Sequence, residues 1–224
     1  MNKEDGFTII ELLIASIAFT VLLILVTMIV IQVSRVYYKG VVLSNTQNVN
    51  STIVQDVSKN VQFDPGSSQF KITSGIINNV NYYCIGSSVF IYNLGQEFNL
   101  SSSNIGLIYE TGNTTCPISS RGINTLNNYL AQGFKELLSP MMRVVYFKVK
   151  VPQLSTSPLY NISIGVAFGS NQSLCNTSNS CSSPTTMNTS NYSGSNVRCK
   201  LQQGDQYCGI SYLYTTVANE YNLN

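Results

Sequence analysis

The first third of the chain falls into two hydrophobic patterns. From Phe7 to Ile31 nearly every position is apolar, and Glu11 is the only charged residue. At about 1.5 Å rise per residue, a helix of this length crosses a hydrocarbon layer of about 30 Å. An unpaired carboxylate in that layer costs about 2.5 kcal/mol or more, so Glu11 needs a partner. From Val33 onward polar residues return, and Val49, Ile53, Val57 and Val61 recur at every fourth position. Gln55, Asp56, Lys59 and Asn60 fall on other faces. This spacing predicts that the apolar helix continues into an amphipathic half, and Asp64-Pro65-Gly66 predicts its end. One helix is expected over residues 7–62, with 7–31 in lipid, 32–62 under a globular head and a soft point at Gly40.

Residues 63–224 read as a β-rich head. KITSGIINN, VNYYCIG, SVFIYNLG and IGLIYE are short β-branched or aromatic runs between Asn, Gly and Ser punctuation. INTLNNYLAQGFKELLS predicts a short helix with Leu126, Leu130, Phe134 and Leu137 or Leu138 on one face. RVVYFKVKV, from Arg143, alternates as a strand. Val145, Phe147, Val149 and Val151 are expected on one side, and Tyr146, Lys148 and Lys150 on the solvent side. LSTSP then turns the chain into YNISIGVAF, giving an antiparallel hairpin, and VRCKLQQGDQYCGISYLYTTV predicts a final strand pair. The fold class is α+β, a long N-terminal membrane-spanning helix packed on an antiparallel sheet. Residues 170–196 carry almost no large apolar side chains. They predict an exposed polar loop, a solvated insertion rather than a partner-binding surface. The Asn-x-Ser/Thr triplets are expected by chance in so Asn-, Ser- and Thr-rich a chain.

Composition narrows the chemistry. Charged residues are 10% of the chain, net charge is +2 and histidine is absent. Basic residues are scattered, so there is no direct nucleic-acid signal. Without histidine there is no Ser-His-Asp triad or Cys-His dyad, and the head's carboxylates (Glu97, Glu110, Glu136, Asp205 and Glu220) show no paired-acid spacing. Neither an EF-hand loop nor a phosphate loop occurs. The reading is non-enzymatic, with no cofactor and no metal.

Six cysteines follow the apolar run: Cys84, Cys116, Cys175, Cys181, Cys199 and Cys208. None forms a CxxC pair, and an even count outside the cytoplasm favours disulfides. Cys199 and Cys208 flank KLQQGDQY, whose Gly204-Asp205 predicts a reversal, so their bridge is the first candidate. Cys175 with Cys181 and Cys84 with Cys116 are further possibilities. Sequence leaves the connectivity open.

The leader is unlike a secretory signal. MNKEDG is short and polar, and no A-x-A-like cleavage site follows the apolar run. GFTIIELLIASIAF instead resembles the processing site of type IV prepilins and type II secretion pseudopilins. Gly6, Phe7, Thr8, Ile9, Ile10 and Glu11 match the family order of Gly, Phe, Thr, aliphatics and Glu at the fifth mature position. The leader, 1–6, is less basic than is usual there, because Lys3 is joined by Glu4 and Asp5. The resemblance implies cleavage between Gly6 and Phe7 by a prepilin peptidase, which would also methylate the new amino group of Phe7. It further implies that Glu11 of one subunit meets the cationic N-terminus at Phe7 of its neighbour, a compensated pair that sets axial register. STIVQDVSKNVQF is similar to the helix end of larger minor pilins of the pseudopilin J and PilW kind.

The function so implied is structural: a minor pilin of a type IV pilus-like filament. Its partners would be the peptidase/methyltransferase, other pilin subunits, an assembly platform and, before assembly, cytoplasmic-membrane lipid, with the head outside the cytoplasm. A type II secretion pseudopilin, and a tip adhesin or DNA-uptake minor pilin, are the alternatives.

Overall fold

The computed structural model describes residues 8–63, 72–77, 80–98, 104–112, 133–150, 159–170, 173–176, 197–200 and 207–219. Helix α1 spans Ile9–Phe63 and runs unbroken through Gly40. It ends one residue before Asp64-Pro65, as a proline that disfavours helix in its predecessor requires.

The expected short runs become strands. β1 (Ile72–Ile77), β2 (Val80–Ile85), β3 (Ser88–Tyr92), β4 (Leu107–Glu110) and β5 (Lys135–Glu136) form a five-stranded antiparallel sheet in chain order. β6 (Met142–Lys150) and β7 (Leu159–Phe168) form the predicted antiparallel pair, and β10 (Gly209–Ala218) adds to β7 along its full ten residues. β8 (Leu174–Asn176) pairs with β9 (Val197–Cys199). The first two sheets meet where Leu94 bridges Val144 and the Gly95 N–H donates to Val144 O at 2.7 Å.

The helix packs chiefly on β10 and β7. Ile53, Val57 and Val61 are buried in the main core with Phe90, Ile91, Leu107, Phe147, Ile162 and Ile164. Each such side chain contributes about 1.5–3 kcal/mol on burial. Tyr83, Tyr92 and Phe147 pack together in this core, with Tyr92 and Phe147 stacked at 4.9 Å between ring centroids. The architecture is therefore α+β, a long N-terminal helix on antiparallel sheets.

Four local expectations are corrected. The described end of the segment expected to be helical, 133–139, is a turn followed by β5, and Leu126 and Leu130 lie outside the described residues. β6 carries a bulge between Val144 and Tyr146. The extra residue shifts the alternation, so Val144, not Val145, joins Phe147 and Val149 in the main core. Val145 packs instead into a second cluster with Ala167, Leu174, Val197 and Cys208. Val151 lies outside the described residues, while Lys148 and Lys150 face solvent as expected. The third correction concerns β9, which pairs with β8 in a separate two-stranded sheet instead of adding to the edge strand β10. Finally, the polar stretch 170–196 is not wholly loop: Leu174–Asn176 is strand, and Leu174 is fully buried. Most of that stretch, with its triplets, lies outside the described residues.

Candidate functional site

The start of α1 answers why a carboxylate sits in an apolar run. Thr8 precedes the first helical residue, and both its N–H and its hydroxyl donate to Glu11 Oε2, at 3.0 and 2.9 Å. In return the Glu11 N–H reaches Thr8 O at 3.1 Å and Thr8 Oγ1 at 3.4 Å. Thr8-Ile9-Ile10-Glu11 is thus a reciprocal capping box, in which the carboxylate occupies donors that helix geometry leaves without intrahelical partners. Its charge also sits at the positive end of the helix dipole. T-x-x-E at the start of an apolar run is itself the sequence signature of this cap. Gly6 and Phe7, the expected cleavage and methylation positions, lie outside the described residues.

Above the cap, α1 stands clear of the head. Its apolar side chains from Ile9 to Val41 are largely exposed, and its first buried residue is Thr46. The hydroxyls on this stalk turn inward on their own helix. Ser16 donates to Leu13 O at 2.9 Å, Thr20 to Ile17 O at 2.8 Å, Thr27 to Leu23 O at 2.7 Å and Ser34 to Val30 O at 2.8 Å. A hydroxyl satisfied in this way can face hydrocarbon without an orphan donor. By length and composition α1 is able to cross a membrane, which gives coarse support for a single-pass membrane protein.

Where the helix meets the head, its anchors are polar as well as apolar. Asn50 is fully buried and its Nδ2 donates to Ser211 O at 2.9 Å, Ser211 Oγ at 3.1 Å and Ile164 O at 3.3 Å. Val49, expected on the buried stripe, is only partly buried. Higher up, Asn60 accepts from the Ser88 hydroxyl at 2.6 Å and donates to the Tyr109 hydroxyl at 3.3 Å. Asn219 Nδ2 donates to Val61 O at 2.6 Å, satisfying one carbonyl of the last helical turn. Gly209 lets β10 approach closely: an added Cβ would lie 3.0 Å from Thr46 Oγ1 and from Val42 Cγ1. Nothing in sequence marked these asparagines as anchors.

Arg143 and Glu136 are the head's most heavily hydrogen-bonded charged residues among those described. Arg143 is fully buried, pairing with Glu97 at 3.0 Å and donating to Gly95 O and Gly169 O. Glu136 accepts from the N–H groups of Leu107 at 2.7 Å, Leu138 at 3.0 Å and Gly106 at 3.1 Å. Burial nevertheless raises its pKa above the ordinary carboxylate value, because those donors offset only part of the desolvation. Among the described residues, no three of Cys, Asp or Glu converge as a metal-ligand set.

Cys199 and Cys208 are bridged, with Cα atoms 5.8 Å apart, as their flanking spacing predicts. Cys84 and Cys175 are each disulfide-bonded, and Cys116 and Cys181 lie outside the described residues. The arrangement is that of a sheet-based head carried on an apolar, capped stalk. No family model, curated protein or solved structure matches the chain.

Proposed function

We propose that this protein is a minor pilin, processed between Gly6 and Phe7 and assembled through α1 into a type IV pilus-like filament. The observation that carries the reading is the exposed apolar stalk, continuous with the head and beginning at a capped Glu11. Such a surface requires either lipid or other apolar helices around it. The reading supplies both in turn, lipid before assembly and neighbouring stalks after it. The disulfides support a head on the non-cytoplasmic side.

Within this reading Glu11 has two partners. In the membrane-held subunit it caps its own helix through Thr8. In the filament a free oxygen lone pair accepts the neighbour's Phe7 ammonium, because a carboxylate has more acceptor sites than the cap uses. Other axial offsets would leave that ammonium unpaired, so the pair sets register.

Mass spectrometry of the N-terminal peptide, from membranes and from sheared surface filaments, tests the proposal. A peptide beginning at methylated Phe7 in the sheared fraction is the expected result. An intact Met1 start in both fractions would refute it, and a processed peptide confined to membranes would move the assignment to a pseudopilin.

A further inference from the structure

Where α1 leaves its apolar run, aromatic and basic side chains gather on the helix, and an aromatic ring of the head joins them. Arg35, Tyr37, Tyr38 and Lys39 follow Ile31 within eight positions, and no Asp or Glu occurs from residue 32 to residue 55. Tyr37 and Tyr38 are 68% and 53% exposed, and Tyr207 of the head is also 53% exposed. The Tyr38 and Tyr207 rings lie 6.5 Å apart between centroids, although the two residues are far apart in sequence. Tyr207 is held there through the two residues that follow it. Cys208, its neighbour, is bridged to Cys199, and Gly209 lies against Val42 and Thr46 of the helix.

Depth along the helix agrees with this clustering. With Ile31 at the hydrocarbon boundary, Arg35 lies about 6 Å and Lys39 about 12 Å beyond it, within reach of lipid phosphates for long basic side chains. Amphipathic tyrosine rings favour the same layer, and basic groups there attract anionic lipid. Resting on the reading that α1 spans a bilayer, we infer that Tyr37, Tyr38 and Tyr207, with Arg35 and Lys39, form a seat for an anionic phospholipid headgroup layer. The seat holds the underside of the head against the membrane before assembly, and the Cys199–Cys208 bridge keeps its head-side ring in place.

The chain contains no tryptophan, so single tryptophans report depth without background. Full-length Tyr207→Trp is placed in nanodiscs of phosphatidylcholine with or without one third phosphatidylglycerol, doped with a headgroup-nitroxide lipid. Tyr214→Trp is the control. Tyr214 is 63% exposed on β10, about 16 Å further along the strand from Gly209. Quenching at Tyr207→Trp is expected to exceed the control by about twofold or more. It should rise with phosphatidylglycerol, and that rise should vanish when Arg35→Gln and Lys39→Gln are added. Tyr38→Trp gives the same readout if Tyr207→Trp does not fold. Leu22→Trp with chain-brominated lipid reports the span itself. Quenching at Leu22→Trp, with Tyr207→Trp no different from the control, overturns the seat and leaves the span standing. No quenching at Leu22→Trp overturns the spanning reading on which the seat rests.

Discussion

Asn50→Asp is the sharpest test of how the stalk is locked to the head. The native amide points Nδ2 at Ser211 O, Ser211 Oγ and Ile164 O, inside an interface where Asn50 has no exposed surface. The substitution is nearly isosteric, so it leaves packing intact and replaces two N–H donors with an oxygen. An ionised carboxylate facing two carbonyl oxygens would be a buried charge without a partner, which is worth avoiding by protonation. Keeping the proton in the folded state at pH 7, against an unfolded pKa of about 3.9, costs about 4 kcal/mol.

That cost depends on pH in a defined sense. The folded pKa is raised above the unfolded one, so the penalty is small below the unfolded value and grows as pH rises toward the folded value. Near pH 4 it should fall below about 1 kcal/mol beyond the loss of one hydrogen bond. Urea unfolding of the full chain in detergent, followed by near-ultraviolet tyrosine dichroism between pH 4 and 7, measures this against Asn50→Leu. The leucine variant should lose about 1–3 kcal/mol at every pH, because it removes donors without adding an ionisable group. Equal and pH-independent losses for the two variants would refute the assignment of Asn50 as a buried donor to the sheet.

Three further outcomes follow from the head. Gly165→Ala would place a Cβ 2.5 Å from Tyr212 Cε1. It should cost about 1–3 kcal/mol by overpacking in thermal melts, and Tyr212→Ala in the same chain should recover part of the loss non-additively. Replacing both Cys199 and Cys208 by serine removes a bridge across nine residues, with an expected loss of about 2–3 kcal/mol in denaturant titration. For Glu136 the folded pKa is raised, so its favourable contribution is complete below the ordinary carboxylate pKa and is lost as pH rises through the raised value. The slope of stability against pH in that window should flatten in Glu136→Gln.

Much of the architecture was legible because it depends on local patterns. An uninterrupted apolar run followed by four-residue spacing dictates a helix whatever it packs against, and α1 ends where Asp64-Pro65 requires. Alternating β-branched runs likewise yielded β1 to β4, β6, β7 and β10 at their expected places. The Thr8–Glu11 cap is equally local, since its partners are three residues apart. What the sequence by itself determined is therefore the stalk, its start and stop, and the β character of the head; it made Cys199–Cys208 the first candidate bridge, and the structure settled it.

Depth and pairing were decided only by the tertiary structure. Alternation alone puts Val145 beside Phe147, yet the bulge in β6 sends Val145 to a different core. The final hairpin was plausible from spacing, but β9 pairs with β8 in its own sheet while β10 joins β7 along ten residues. Asn60 falls off the apolar stripe and no pattern singles out Asn50, yet both become anchors because carbonyls and hydroxyls from the sheets arrive opposite them. Periodicity records which face of an element turns inward. It carries no record of which distant backbone groups will be waiting there, because hydrogen bonds across the interface are set by how the layers dock rather than by the residues along either one.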